Sequence, residues 1–414
     1  MTIEITTLPN GVRTVVDHYD SPLAAVAVTV ECGTRHEAPY VNGVAHFLEH
    51  MAFKGTERRT PQMITGDIED RGGWINAQTS RDTTQFYAGV LREDLDVALD
   101  VIADIVLNST FPEDEVDRER GVILQENRDL EDDATSWLSE RLMETAFSGA
   151  LALPGLGRPE TIHGIHRADI HHFVDQHYIP AKIIVAAAGG VDPASFTRAV
   201  EGHCGAMKPA RTPAPHPTAY RGGVFRHAAE TPNVNISIAF PSLPLGHPNL
   251  YAEVVFAQLV GGCQSSMFWQ ELREKRGLCY AADFGGYSWV QAGISVASMS
   301  CGEDEAPEAI AMLCEQLKRS RDGFNEAQLS LGRKLCKANI IMGRERAWSR
   351  LSSAVHHLAI HGKAYDLDEE LAMYDGVGPA HIARTIERMW SARPAIAIRG
   401  PRSVCDLDIE GMLR

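Results

Sequence analysis

The chain opens on alternation. In "TIEITTLPNGVRTVVDH", residues 2 to 18, apolar and polar positions interleave around Pro9-Asn10-Gly11. That pattern predicts two strands and a hairpin turn. A comparable opening, "GVFRHAAETPNVNISIAFP", starts at residue 223. Each opening leads into a helical stretch and then a glycine-marked strand region, "GGWINAQTSRDTTQFYAGV" first and "GLCYAADFGGYSWVQAGISVASMS" second. Longer helices follow in both halves. Strands on either side of helices predict an α+β fold: two similar domains, each an antiparallel-rich sheet with helices packed on one face. Between them lies "KPARTPAPHPTAYRGG", residues 208 to 223, with Pro209, Pro213, Pro215 and Pro217. Such a run is stiff and extended, and it reads as a linker between domains at 1–207 and 224–414.

Length and charge narrow the picture. A chain of 414 residues suits two domains better than one core. The formal charge is −16 and no basic face is apparent, which argues against nucleic acid as a partner. No apolar run reaches the roughly 18 to 20 residues of a membrane span. The first residues lack a basic start and a continuous apolar stretch, so a cytoplasmic protein is expected. None of the eight cysteines forms a C-x-x-C pair, which disfavours a thiolate zinc site.

The chemistry concentrates in "GVAHFLEHMAFKGT", residues 43 to 56. On a helix, His50 lies about 40° from His46, and Glu49 about 60° to the other side. Two imidazoles at i and i+4 can grip one Zn²⁺, with Glu49 close by as a general base acting on water. A catalytic zinc needs a third protein ligand. "DEVDRERGVILQENRDLEDD" has helical periodicity and places Glu119 and Glu126 two turns apart on one face. One of them can bind the metal while the other orients a histidine. The pairs His163/His166, His171/His172 and His357/His361 read as structural or surface histidines; the last has i, i+4 spacing, but no carboxylate sits between its members.

In the second half, "MFWQELREKR" predicts a helix with a C-cap at Gly277 and a strand starting near Leu278. Arg273 then sits just before the helix end and Tyr280 on the strand.

H-x-x-E-H is the inverted zincin motif. "HFLEH" followed by Glu126 resembles the M16 peptidases, the family of insulysin, pitrilysin and the mitochondrial processing peptidase, and in particular its M16B branch. "LPNGVRTVV", "HFLEHMAFKGTERRT" and "GGWINAQTSRDTTQFY" are similar to that family's first strand, zinc helix and G-G-x-x-N-A strand. The resemblance implies that His46, His50 and Glu126 bind one Zn²⁺ per subunit, that Glu49 is the general base, and that Glu119 orients a ligand. It implies that Asn76 and Ala77 line a substrate-binding edge. It also implies that Arg273 and Tyr280 reach the substrate beside the zinc. The expected activity is a zinc metalloendopeptidase acting on peptides or unfolded polypeptide in a clamshell chamber. Because this chain carries both the zinc set and the Arg/Tyr pair, a homodimer with each site completed by the partner subunit is expected. The competing expectation is a catalytically silent M16-like scaffold or peptide-binding subunit of a heterodimer. Such members typically lose zinc ligands, and all are present here. The chain departs from the family pattern at Cys263 and Met267, beside the Arg/Tyr segment.

Overall fold

A computed structural model describes residues 2–214 and 216–414, so Pro215 of the proline-rich segment lies outside the described residues. Among the described residues the strands are β1 Thr2–Thr7, β2 Arg13–His18, β3 Leu23–Val30, β4 Trp74–Thr79, β5 Thr84–Leu91, β6 Phe147–Gly149, β7 Ile183–Gly189, β8 Thr218–Tyr220, β9 Gly223–Ala228, β10 Asn233–Ser242, β11 Ala281–Ser288, β12 Gly293–Gly302 and β13 Ala395–Gly400. The helices that matter here are α1 Val44–Ala52, α2 Pro61–Glu69, α3 Leu95–Leu107, α4 Glu113–Asp132 and α5 Ala134–Ala146. They continue with α6 Pro159–Gly164, α7 Arg167–His177, α8 Pro193–Cys204, α9 Leu250–Val260, α10 Ala306–Arg319, α11 Glu326–Gly343 and α12 Ala347–His361.

The chain divides into two compact units. The first holds a six-stranded sheet in the order β1-β2-β7-β3-β5-β4, and the second a five-stranded sheet in the order β11-β12-β10-β13-β9. The two sheets share one plan. In the first, β2 and β7 run parallel while β7·β3, β3·β5 and β5·β4 are antiparallel. In the second, β9 and β13 are parallel while β13·β10, β10·β12 and β12·β11 are antiparallel. The expected α+β architecture of two similar, antiparallel-rich sheets is present.

One face of each sheet carries the larger core. In the first unit Val26, Val28 and Val30 of β3 pack with Phe47, Leu48 and Met51 of α1 and with Leu99 and Ile102 of α3. The period-2 alternation of β3 sends Ala25 and Ala27 to the other face, together with Ala186 and Ala188 of β7. Those small residues are covered by Leu351, Ala354, Val355 and Leu358 of α12. Asp17 fixes that helix: it is fully buried and accepts hydrogen bonds from Arg350 Nη2 at 2.6 Å and Nε at 2.9 Å. The second unit repeats the arrangement, with Leu138, Leu142 and Met143 of α5 packed against Ala239, Val296 and Ala397.

Each unit therefore takes one helix from beyond the 208–223 segment. The units are 1–128, 153–216 and 342–365 on one side, and 129–152, 217–341 and 366–414 on the other. They differ from a single cut into 1–207 and 224–414 for a physical reason. Both faces of each sheet are apolar, and the second face needs a helix that the local chain does not supply. Part of the expected linker is also ordered: β8 pairs with β6, and the Tyr220 hydroxyl donates to Ala239 O at 2.9 Å. No helix among the described residues is long and apolar enough to cross a membrane.

Candidate metal centre

Helix α1 begins where Gly43 adopts φ +102°, a left-handed conformation that favours glycine. A Cβ there would stand 3.0 Å from Gly157 Cα, so the residue must also be small. The first N–H groups of the helix are met by a buried carboxylate. Glu37 accepts from Gly43 N–H and Ala45 N–H at 2.8 Å each, and from Asn42 Nδ2 at 2.7 Å. Burial pushes the Glu37 carboxyl up to about 7, against the pull of these three donors. A helix start held this tightly fixes the rotation of α1 about its axis.

That rotation buries Val44, Ala45, Phe47, Leu48, Met51 and Ala52 and leaves His46, Glu49 and His50 on the opposite, half-buried face. The side chains of His46, His50 and Glu126 converge, with one donor atom from each lying within 4.8 Å of the others. Glu126 Oε2 is 3.5 Å from His46 Nε2 and 3.6 Å from His50 Nε2. These separations are too long for hydrogen bonds. They match the spacing of about 3.4 Å between ligands that bind a tetrahedral zinc at about 2.0–2.1 Å. The donor set, two imidazole nitrogens and one carboxylate oxygen, is also one zinc accepts, so the residues present fit the ion.

Protonation favours the same use. Burial, reinforced by the neighbouring His50, lowers the His46 pKa to about 3, so its ring is neutral and keeps a free lone pair. His50 Nδ1 lies 2.9 Å from Glu119 Oε2. That contact on Nδ1 orients the ring so that Nε2 faces Glu126. Glu119 is 6% exposed, and its other oxygen meets Lys54 Nζ at 2.6 Å. Burial pushes its carboxyl up, but hydrogen bonds from Lys54 and His50 outweigh that and hold it ionised below the usual range. Replacing Glu119 with Gln keeps the shape and removes the charge. Zinc affinity is expected to fall about 10–100-fold, measured by competition with a chelating dye; unchanged affinity would remove Glu119 from the site.

Glu49 differs from the ligands. Its carboxylate faces Thr79, whose hydroxyl and backbone N–H favour the charged form. Its Oε2 is buried without a hydrogen-bond partner. Burial raises its pKa, with Thr79 and His50 pulling it down and Glu126 pushing it up. A carboxylate made more basic, with one oxygen free, is equipped to take a proton.

Thr79 ends β4, whose only partner strand among the described residues is β5. Asn76 and Ala77 lie on this edge strand. The Ala77 N–H is taken up by the Asn76 side chain, whose Oδ1 accepts it at 2.8 Å.

Arg273 and Tyr280 lie in the second unit and sit together there. The Arg273 guanidinium is 4.1 Å from the centre of the Trp269 ring and 5.0 Å from that of Tyr280. Their local structure corrects the expected helix and strand. Residues Trp269–Glu274 form a π-helical turn, with the Lys275 N–H donating to Gln270 O at 3.1 Å. Gly277, at φ +63°, ends it in the expected left-handed cap. The cap's bonds, Gly277 N–H to Arg273 O and Leu278 N–H to Leu272 O, each span one residue more than the usual motif because of the extra residue in the turn. The strand starts at Ala281 rather than Leu278, so Tyr280 precedes it and is 82% exposed, while Cys279 is buried.

Sequence reading missed Glu37, Lys54 and Thr79. Lys54 alone had a local signal, since it stands one turn beyond His50; the other two are brought in by tertiary packing.

Comparison with known proteins identifies the family. Residues 13–158 match the insulinase family, peptidase family M16, and residues 164–335 match the M16 peptidase inactive domain. An uncharacterized zinc protease of Mycobacterium leprae is 30% identical over 407 residues, covering 96% of this chain and 91% of its own. The mitochondrial-processing peptidase subunit beta of Mus musculus is 28% identical over 412 residues, covering 96% and 84%. The crystal structure of a protease from Helicobacter pylori has a TM-score of 0.87 at 21% identity, covering 97% of this chain and 99% of that one, a likeness of fold.

Proposed function

Because the chain belongs to the M16 family of zinc peptidases, we propose that it is a metalloendopeptidase that hydrolyses peptides or unstructured polypeptide segments. The observation that carries the reading is the convergence of His46, His50 and Glu126 beside a carboxylate, Glu49, that is not needed as a ligand. A structural zinc usually has four protein ligands, and three with an adjacent base suit a catalytic one.

In this reading His46, His50 and Glu126 hold one zinc, and Glu119 orients His50. Zinc, when bound, supplies a Lewis acid that acidifies water and polarises the scissile carbonyl. Glu49 removes the proton from the attacking water and returns it to the leaving amine. The free edge of β4 pairs with an extended substrate, whose carbonyl replaces Asn76 Oδ1 as the partner of the Ala77 N–H. Backbone pairing needs an unfolded segment, which limits substrates to peptides and flexible chain.

Arg273 and Tyr280 supply a cation and a phenol donor to the developing oxyanion. They act, as the family resemblance suggests, on the zinc site of a partner subunit in a homodimer. Mixing Glu49→Gln chains with Arg273→Ala chains should therefore restore activity that neither has alone, since one site of the mixed dimer is intact. A verified mixed dimer without activity would contradict completion between subunits.

The peptidase reading is tested with a mixture of unstructured peptides and mass spectrometry of the products. Cleavage that a chelator abolishes and zinc restores is the expected result. Zinc-loaded protein that cuts nothing would favour a peptide-binding subunit that requires another chain for catalysis.

A further inference from the structure

Edge strand β4 alternates cleanly. Trp74, Asn76 and Gln78 are exposed, while Ile75, Ala77 and Thr79 turn inward. On the exposed side three aromatic rings cluster within the first unit. Tyr87, directly across from Asn76 on β5, stacks on Trp348 of α12 with ring centres 4.0 Å apart and planes at 25°. Trp74 meets both edge-on, at 5.7 Å from Tyr87 and 6.4 Å from Trp348. The Tyr87–Trp348 stack seals α12 against the sheet. Trp74 does not share that duty, because it remains 46% exposed.

Its ring is nonetheless held in place. Its cross-strand partner is Gly89, and a Cβ there would stand 2.6 Å from the indole. The absence of a side chain on Gly89 lets the indole lie over the strand. The result is a rigid aromatic wall beside a free strand edge, with a stacked pair behind it. An exposed strand edge offers unpaired backbone groups to another strand. Helix α1 packs against β4, and its Glu49 faces Thr79 at the other end of the strand, which is the catalytic end in the peptidase reading.

An extended peptide paired along β4 would send alternate side chains to the Trp74 face. From Thr79 to Trp74 the strand advances about 16 Å at about 3.3 Å per residue, which is four to five peptide residues. We propose that Trp74, Tyr87 and Trp348 form an aromatic subsite that receives a large apolar side chain of the substrate, four to five residues from the cleaved bond. The inference rests on the peptidase reading and adds a preference to it.

The test uses peptides that differ at one position at a time, with Phe, Leu, Ala or Arg at each of the positions flanking one cut site. Wild type, Trp74→Ala and Trp74→Phe are compared by kcat/KM. In the wild type, Phe or Leu at the predicted distance should exceed Ala by about tenfold or more. That ratio should approach one in Trp74→Ala and persist in Trp74→Phe. A ratio unchanged in Trp74→Ala, a uniform loss across all peptides, or a preference for Arg at that position would overturn the subsite while leaving the peptidase reading intact. Failure of the zinc-loaded wild type to cleave any peptide would overturn both.

Discussion

Glu49→Gln is expected to lower kcat/KM for peptide cleavage by about 10²–10⁴-fold while zinc content stays at the wild-type level. The size follows from what the substitution removes. Glutamine has nearly the same shape, so the position on α1 is preserved. It cannot take up a proton. Because Glu49 is not among the three converging donors, the metal should stay. Steady-state kinetics beside elemental analysis of the same sample separates the two effects. A variant that loses zinc as well would make Glu49 a ligand, and one that keeps activity within a few-fold would deny it the role of base.

His50→Ala should have a comparable effect on activity through a different cause. It removes one of three donors and also strands Glu119, which then has Lys54 as its remaining partner in this group. Zinc affinity should fall by more than the about 10–100-fold expected for losing an orienting residue. The readout need not be activity. An ion that binds only the folded chain raises its melting temperature by mass action. Zinc should therefore shift the thermal unfolding of the chelator-treated wild type upward and leave that of His50→Ala little changed. Equal shifts in both proteins would place the ion elsewhere.

Much of this site was legible in the sequence because its parts are periodic. His46, Glu49 and His50 fall within little more than one helical turn, and Glu119 and Glu126 share a face of α4, so spacing alone sets each group on its face. The repeated order of strands and helices likewise revealed two similar sheets. The contacts that hold α1 in register were harder to see. Glu37 reaches the start of the helix from the preceding loop, and a glutamate in a loop carries no sign that it will be buried. Thr79 meets Glu49 only once β4 has folded onto its sheet.

The positions of α5 and α12 were hidden for a different reason. Each buries an apolar stripe against one sheet, and periodicity reports that a face is buried without saying against what. The proline-rich segment marked a change in composition, and the chain on both sides of it contributes to both units. The turn at Trp269–Glu274 shows the same limit on a smaller scale. "MFWQELREKR" has helical character, but periodicity does not report the extra residue in its turn, where Leu272 and Leu278 are both buried and joined across the Gly277 cap.

The most direct test of the central claim is anomalous diffraction from crystals of the zinc-loaded protein, recorded on both sides of the zinc absorption edge. The account predicts one strong peak per chain, about 2.0–2.2 Å from His46 Nε2, His50 Nε2 and a Glu126 carboxylate oxygen. A peak at any other set of residues, or none at this one, would contradict it.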